Sequence, residues 1–177
     1  MTDLTGLIVP LPDLEPVVGE WRDRFDTRFE NVPAHVTVLV PWIPPDALTE
    51  ADLDLLGQLT KSWQPFEVMF AGFGCFEVGD GRTVQFLEPK PADEFLALTE
   101  DVSTVWPEYP PYEGQIAEVV PHLTVGDGVT AEQSDELRAA IEPALPVRTT
   151  ARELLAVEVR ADQASIRRRF RLGGKKG

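Results

Sequence analysis

The alternation of apolar and polar residues along the chain predicts short strands interleaved with amphipathic helices. Runs rich in Leu, Ile, Val and Phe that stop at Pro or Gly indicate strands, and apolar residues three or four positions apart between charged ones indicate helices. In the first half, this pattern predicts a strand over residues 5–11, a helix through Val18, Trp21 and Phe25, a strand over residues 35–40, a helix beginning near Thr49, and a strand over residues 66–76.

The second half of the chain repeats that order. Gly79-Asp80-Gly81 indicates a turn, which joins the previous strand to a new one in a hairpin. The predicted elements are a strand over residues 83–87, a helix through Phe95, Leu98, Val102 and Val105, a stiff proline-rich loop over residues 107–114, a strand over residues 118–125, a turn at residues 126–128, a helix beginning near Thr130, and strands within residues 147–159 and 165–172.

Two of the predicted helices carry a capping signal at their start. Thr49 with Asp52, and Thr130 with Gln133, have the three-residue spacing of a capping pair. The residues expected to form the buried stripes are Leu48, Ala51, Leu55 and Leu59 in the first helix, and Leu137, Ala140, Ile141 and Ala144 in the second.

The shared order of strand, helix, strand, helix, strand indicates a doubled unit. With 177 residues, 43% of them hydrophobic, the chain is long enough for a sizeable core and short enough for one compact domain. We therefore predict a single domain over residues 1–177, with approximate halves 1–80 and 81–177. If the halves pack about a pseudo-twofold axis, their middle strands lie near one another in a central groove.

Charge and composition narrow the classes of function. A formal net charge of -14 argues against broad binding to duplex DNA, because such binding depends on many Lys and Arg contacts to phosphates. A small or end-on phosphate ligand stays compatible with it. Residues 1–14 have no basic start and no long apolar core, so we expect neither a signal peptide nor a membrane span. The single cysteine, Cys75, cannot form an internal disulfide, and we expect it to be buried and inert in a cytoplasmic protein.

Positive charge collects near the C-terminus. One interpretation is a solvated edge strand, since Lys and Arg commonly protect strand edges. The other is a local patch that attracts phosphate. The residues concerned are Arg160, Arg167, Arg168, Arg169, Arg171, Lys175 and Lys176.

One short motif occurs twice, once in each half. His35 precedes Thr37 by two residues, His122 precedes Thr124 by two residues, and the chain has no other histidine. Residues two apart in a strand share a face, so each motif offers an imidazole and a hydroxyl side by side. The opposite face of each predicted strand is apolar and suits burial in a core.

A converging pair of histidines suits acid–base chemistry at a phosphate. A histidine near its ordinary pKa can accept or donate a proton near neutral pH. In-line phosphoryl transfer needs these two roles on opposite sides of phosphorus, which requires the rings of His35 and His122 to lie roughly 4–8 Å apart. Thr37 and Thr124 would bind the nonbridging oxygens. We expect no metal or other cofactor in this chemistry.

Both motifs together resemble the signature of a known family. His35-Val36-Thr37-Val38 and Pro121-His122-Leu123-Thr124-Val125 are similar to the paired His-x-Thr motifs of the 2H phosphoesterase superfamily, particularly its bacterial branch of 2'-5' RNA ligase and cyclic phosphodiesterase-like proteins. The resemblance covers nearly the whole chain. It implies an α+β fold of two pseudo-symmetric lobes, each a small, mostly antiparallel sheet with helices on its outer face, around a central groove. It also implies hydrolysis of a 2',3'-cyclic phosphate or reversible joining through a 2'-5' linkage.

Aromatic and basic residues outside the motifs have two interpretations each. Trp106, Tyr109 and Tyr112 form a stacking surface for a base, or they cover the core beneath the proline-rich loop. Similarly, three arginines either clamp phosphate or are ordinary surface charges: Arg82, Arg148 and Arg152.

Other classes of function stay open. The same groove suits a binding protein for phosphorylated nucleotides or RNA ends without turnover, and the acidic surface suits an interaction module with a basic partner. Metal binding is disfavoured, because two histidines alone leave a zinc ion short of ligands. The sequence does not indicate which histidine is the base, the natural substrate, whether hydrolysis or ligation dominates, or the oligomeric state.

Overall fold

The computed structural model describes residues 3–173. Within that range the chain forms eight strands and four α-helices. The strands are β1 (Leu4–Pro10), β2 (His35–Leu39), β3 (Phe66–Gly79), β4 (Arg82–Lys90), β5 (Leu123–Val129), β6 (Val147–Ala151), β7 (Glu153–Arg160) and β8 (Gln163–Arg171). The helices are α1 (Glu15–Phe25), α2 (Glu50–Ser62), α3 (Asp93–Val105) and α4 (Ala131–Ile141).

The strands form two four-stranded antiparallel sheets. The first has the strand order β2-β1-β7-β8 and the second has the order β5-β4-β3-β6. The two motif-bearing segments therefore occupy equivalent edges, with β2 at the edge of one sheet and β5 at the edge of the other. These two edge strands contact each other. The arrangement confirms the predicted α+β fold with two related lobes.

The two sheets do not follow a division of the chain at residue 80. β3 comes from the first half but pairs with β4, and β7 comes from the second half but pairs with β1. The expected halves 1–80 and 81–177 therefore do not describe the lobes. The reason is the tight turn at Gly79-Asp80-Gly81, which makes β3 and β4 neighbours in one antiparallel hairpin.

The first helix of each half packs on the motif strand of the other half. α1 contacts β5, and α3 contacts β2. The hydroxyl of Thr99 in α3 donates a buried hydrogen bond of 2.9 Å to the carbonyl oxygen of Val38 in β2. In β5, the missing side chain of Gly126 lets the strand lie against Phe25 of α1. These contacts hold the two edge strands in fixed positions relative to each other.

Both predicted capping pairs are confirmed, but the buried stripes differ. Thr49 with Asp52, and Thr130 with Gln133, form complete capping boxes. Leu55 is 43% exposed and Ala140 is exposed, contrary to the prediction. The apolar residues of α2 form two overlapping series, one with Leu55 and Leu59 and the other with Leu53 and Leu56. Because α2 packs against β8, the second series is buried. The buried residues are Leu53, Leu56 and Thr60 in α2, and Ser134, Leu137 and Ile141 in α4.

The predicted turn at residues 126–128 is wrong, because β5 continues through it. A Cβ atom at Gly126 would lie 2.9 Å from Val129 Cγ1, and Gly128 has a φ of +67°. The register between β4 and β5 shifts on both sides of Gln85. The glycines therefore permit an irregularity within a paired strand. The strand starts at Leu123, so His122 immediately precedes it and does not lie within it.

Cys75 is exposed, contrary to the prediction. The edge strand β6 pairs with β3 only over residues 66–70. Beyond that point the β3–β4 hairpin extends past its neighbour, so side chains on the outer part of β3 meet solvent.

Most of the C-terminal arginines belong to an edge strand, whereas Arg160 ends the neighbouring strand β7, and most of them are paired. β8 is the last strand of the first sheet, as the first interpretation expects. Arg160 contacts Asp3, Asp46 and Glu158. Further ion pairs join Arg167 to Glu158, Arg168 to Glu50 and Asp54, and Arg169 to Glu153. Lys175 and Lys176 lie outside the described residues.

The core is built largely from strand and helix side chains that meet between the elements. Its largest fully buried side chains include Trp42, Phe70, Phe95, Leu7, Ile8, Leu11 and Leu14. Over residues 3–173, no helix has both the length and the apolar character needed to cross a membrane.

Candidate active site

His35 is the first residue of β2 and is 8% exposed. Its Nδ1 lies 2.8 Å from the carbonyl oxygen of Pro33. The ring of Phe29 contacts the imidazole edge-on, with centroids 5.1 Å apart. The hydrogen bond and the ring contact together restrict rotation of the imidazole.

His122 has the same backbone contact at the start of the other edge strand. Its Nδ1 lies 2.7 Å from the carbonyl oxygen of Val120. The rings of Phe76 and Phe86 each lie 5.1 Å from the imidazole centroid. His122 is half-buried, and so it is more accessible than His35.

The two carbonyl contacts determine the tautomer of each neutral histidine. A carbonyl oxygen only accepts hydrogen bonds, so Nδ1 of His35 and Nδ1 of His122 must each carry the proton. In a neutral imidazole, Nε2 is then the unprotonated nitrogen. Each ring consequently has one nitrogen that can accept a proton from a ligand.

One cleft of about 450 Å³ is lined by both motifs. It brings together His35, Thr37, His122 and Thr124 between the two edge strands. Both threonines are half-buried. The other residues that line the cleft are Leu4, Asp26, Arg28, Phe29, Val40, Phe76, Val84, Tyr112, Ile116, Glu118, Val120, Asp127 and Val159.

Both histidines are shifted towards the neutral form. Burial lowers the pKa of His35 to about 4; the hydrogen bond to Pro33 opposes the shift, and the charges of Arg22 and His122 add to it. Burial also lowers the pKa of His122, against the opposing effect of the Val120 carbonyl. At neutral pH the free protein therefore has two uncharged imidazoles in the cleft.

An acidic residue in the same cleft, Asp26, has a raised pKa, which likewise favours its neutral form. Burial raises the pKa of Asp26 to about 7, and the nearby charge of Asp127 raises it further, whereas Arg22 and Arg28 oppose the shift. The Asp26 carboxylate lies 3.9 Å from Nε of Arg22. The Asp26 carboxyl group therefore loses its proton as the pH rises through about 7.

The sequence profile of the 2'-5' RNA ligase superfamily matches residues 10–168. The chain belongs to this superfamily. The match confirms the resemblance inferred from the two His-x-Thr motifs. Curated relatives of this superfamily member include candidate phosphoesterases from Bacillus licheniformis, 21% identical over 137 residues, and from Bacillus cereus strain B4264, 26% identical over 133 residues. The alignments cover 77% of each chain in the first case, and 74% of this chain and 73% of the relative in the second.

Solved structures share the fold along almost the entire chain. The crystal structure of TT0787 from Thermus thermophilus matches with a TM-score of 0.63 and 23% identity, over 97% of this chain and 99% of that one. LigT from Escherichia coli, crystallised with 3'-AMP, matches with a TM-score of 0.61 and 13% identity, over 98% and 100% of the chains. These likenesses establish that the superfamily member has the LigT-like two-lobed fold.

The three predicted stacking residues of this superfamily member have different environments. Trp106 is 4% exposed and packs edge-on against Trp42, with centroids 5.1 Å apart. Trp106 therefore fits the second interpretation, in which the aromatic ring covers the core and is not available to stack on a base. Tyr109 packs partly against the same core. Tyr112 lines the cleft, and burial raises the pKa of its phenol, so the hydroxyl stays protonated at neutral pH.

Sequence reasoning missed several residues of the cleft. Arg28 lines it, whereas Arg82 instead donates to the carbonyl oxygen of Gly128, and Arg148 and Arg152 line two other grooves. The sequence pattern indicates only a strand position for Phe76, although the residue is 36% exposed and its ring lies beside His122. Arg28 stands seven residues before the first motif, but that spacing alone does not distinguish it from other arginines. In the described part of the chain, no three or more His, Cys, Asp or Glu side chains form a group that could hold a metal ion.

Proposed function

We propose that this protein is a phosphodiesterase that uses His35 and His122, without a metal ion, as an acid–base pair on 2',3'-cyclic phosphate or 2'-5' phosphodiester substrates. The observation that carries the proposal is the shared cleft, which both histidines and both motif threonines line. Family membership adds to it, since the profile matches residues 10–168. The nucleotide complex of LigT supports a nucleotide as the substrate class.

The proposed reaction with a 2',3'-cyclic phosphate is an in-line hydrolysis. One neutral imidazole accepts a proton from water through Nε2 while the water oxygen forms a bond to phosphorus. The bond from phosphorus to one ribose oxygen breaks, and the other histidine, as imidazolium, donates its proton to that leaving oxygen. The hydroxyls of Thr37 and Thr124 donate hydrogen bonds to the nonbridging oxygens as negative charge builds up there.

The environments of the two histidines favour different roles. His35 is the more buried, and its pKa of about 4 keeps it neutral. That state suits the general base. His122 is the more accessible of the two, and an anionic phosphate beside it would raise its pKa and favour its protonated form. We therefore assign the base role to His35 and the acid role to His122.

The remaining residues of the cleft suit the other parts of a nucleotide. Arg28 is a cationic side chain that lines the cleft, and guanidinium groups bind phosphate oxygens with directed hydrogen bonds. The exposed ring of Phe76 and the phenol of Tyr112 offer aromatic surface for a base. In this proposal Phe76 takes the place that the sequence suggested for Trp106.

The deciding experiment is incubation of the purified protein with 2',3'-cyclic nucleotides and short 2'-5'-linked RNAs in the presence of EDTA. Separation of the products by the position of the phosphate identifies the bond that breaks. We expect turnover that falls by about 10²–10⁴-fold in His35→Ala and in His122→Ala, since general acid and base each contribute about that much. Saturable binding without product would instead support the binding-protein alternative.

The threonines provide a second arm of that experiment with an internal control. Thr37→Val and Thr124→Val keep the side-chain shape but remove the hydroxyl, so we expect slower turnover. Thr150→Val is the matched control, because Thr150 lies in β6 and lines a separate groove. Equal rates in all three variants would contradict the phosphate-binding role.

A further inference from the structure

His122 contacts two aromatic rings, one in the cleft and one beneath it. The centroids of Phe76 and Phe86 lie 4.6 Å apart, and each lies 5.1 Å from the imidazole. Phe76 lines the cleft. Phe86 is only 3% exposed. Phe86 therefore supports the imidazole from the interior and is shielded from a ligand.

The ring of Phe86 occupies the space where residue 74 would otherwise have a side chain. β3 and β4 pair Gly74 directly with Phe86. A Cβ atom at Gly74 would lie 2.5 Å from Cζ of Phe86, also too close to Cε2, and 3.0 Å from Oε1 of Glu88. Nonbonded carbon atoms prefer about 3.5–4.0 Å. Only glycine at position 74 leaves the phenyl ring in its observed place.

We propose that Gly74 and Phe86 are positioning residues for His122. The absence of a side chain at Gly74 lets Phe86 pack beneath the imidazole, and the hydrogen bond to Val120 fixes the ring from its Nδ1 side. Acid–base groups act efficiently only when held within about 0.5 Å of the productive geometry. The inference deepens the proposed function and rests on it for the role of His122.

The same packing shields one side of the His122 imidazole from water. Burial is the main cause that lowers the pKa of His122. Phe86 contributes to that burial through a ring contact that needs no hydrogen bond. A smaller side chain at position 86 should admit water and bring the pKa of His122 closer to its ordinary value.

The first test measures the histidines directly, without substrate. Because the chain has only two histidines, proton NMR of the intact protein gives two imidazole titration curves, which His35→Gln and His122→Gln assign. We expect the pKa of His122 to rise in Phe86→Leu while that of His35 stays unchanged. Retained dispersion of the amide spectrum shows that the variant is folded. An unchanged His122 curve in folded Phe86→Leu would overturn the proposal, whether or not the protein hydrolyses any substrate.

The second test uses two glycines of the same strand. Gly74→Ala should lower kcat by about ten- to a hundredfold with KM changed less than about twofold, since a displacement near 1 Å costs rates of this order. Gly72→Ala is the matched control, because a Cβ atom there would meet nothing within 4 Å. Equal kcat values for Gly74→Ala and Gly72→Ala would overturn the proposal.

A double variant identifies the contact responsible. If Gly74→Ala acts by displacing the phenyl ring, then Gly74→Ala combined with Phe86→Leu should have the same kcat as Phe86→Leu alone. Independent, additive losses would argue against the mechanism. If His122 titrates as expected but wild-type protein turns over no phosphodiester, the positioning proposal stands and the proposed function fails.

Discussion

The backbone N–H of Tyr112 donates a hydrogen bond to the carbonyl oxygen of Val40, 2.7 Å away, and so joins the proline-rich loop to the end of β2. Tyr112 has a φ of +51°. This left-handed conformation is unfavourable for a residue other than glycine and often accompanies functional sites. The hydrogen bond therefore places the Tyr112 side chain in the cleft, whereas Trp106, earlier in the same segment, packs in the core.

We expect opposite consequences from removing these two aromatic rings. Trp106→Ala should lower the free energy of unfolding by about 3–5 kcal/mol, because it leaves a cavity against Trp42. Tyr112→Ala should cost much less stability and should raise KM for a cyclic nucleotide. Urea unfolding and steady-state kinetics on both variants check this. A larger loss of stability in Tyr112→Ala than in Trp106→Ala would contradict the assignment.

The depressed pKa of His35 predicts a pH-dependent contribution to stability. The ordinary pKa of 6.5 falls to about 4 in the folded protein, so the unfolded chain binds more protons between these values. Stability from this group is present above pH 6.5 and is lost as the pH falls towards 4. The destabilisation by His35→Gln, measured by urea unfolding, should therefore be about 2 kcal/mol smaller at pH 4.5 than at pH 7. The same value at both pH values would show that His35 titrates normally.

The raised pKa of Asp26 predicts the opposite dependence of stability on pH. Its pKa is raised from 3.8 to about 7, so its contribution is most favourable below pH 3.8 and is lost as the pH rises through 7. Asp26→Asn removes the buried charge and should stabilise the protein at pH 8 by about 3 kcal/mol more than at pH 4.5. Unfolding curves at the two pH values test this. Asp23→Asn, an exposed change in helix α1 just before Asp26, serves as the control and should show no comparable difference.

Arg28 should affect binding of the anionic substrate. Arg28→Gln removes a cation from the cleft, and we expect KM for a cyclic nucleotide to rise by about tenfold or more, since a charge-assisted hydrogen bond contributes about 1.5–3 kcal/mol. Arg82→Gln is the control, because Arg82 contacts the carbonyl oxygen of Gly128 in the hairpin region. If KM rises equally in both variants, a general charge effect explains the result and a specific contact of Arg28 does not.

The sequence predicted the elements well where the signal was local. The capping boxes at Thr49 and Thr130 depend on side chains three residues apart, so neighbouring residues determine them. The hairpin around Asp80 likewise depends on adjacent glycines. Caps and turns of this kind can be predicted from neighbouring residues without knowledge of the rest of the fold.

Errors arose where a distant packing partner decides the outcome. The glycines of β5 resemble a turn until α4 and α1 are known to press against Gly126. Trp106 resembles a ligand platform until Trp42 is found against it. The repeated motifs predicted four of the side chains that line the cleft. Arg28 and Phe76 also line it, but no local sequence pattern indicates that their elements lie beside the motifs.

β7 pairs with β1, and β3 pairs with β4 and β6, so each sheet needs strands from both halves of the chain. A fragment that ends in the hairpin at Asp80 would retain β3 but lose β4 and β6, the strands on either side of it. The remaining fragment would retain β7 but lose β1. We expect neither fragment to fold alone, and we expect the two, once mixed, to recover a working cleft only by completing each other's sheets.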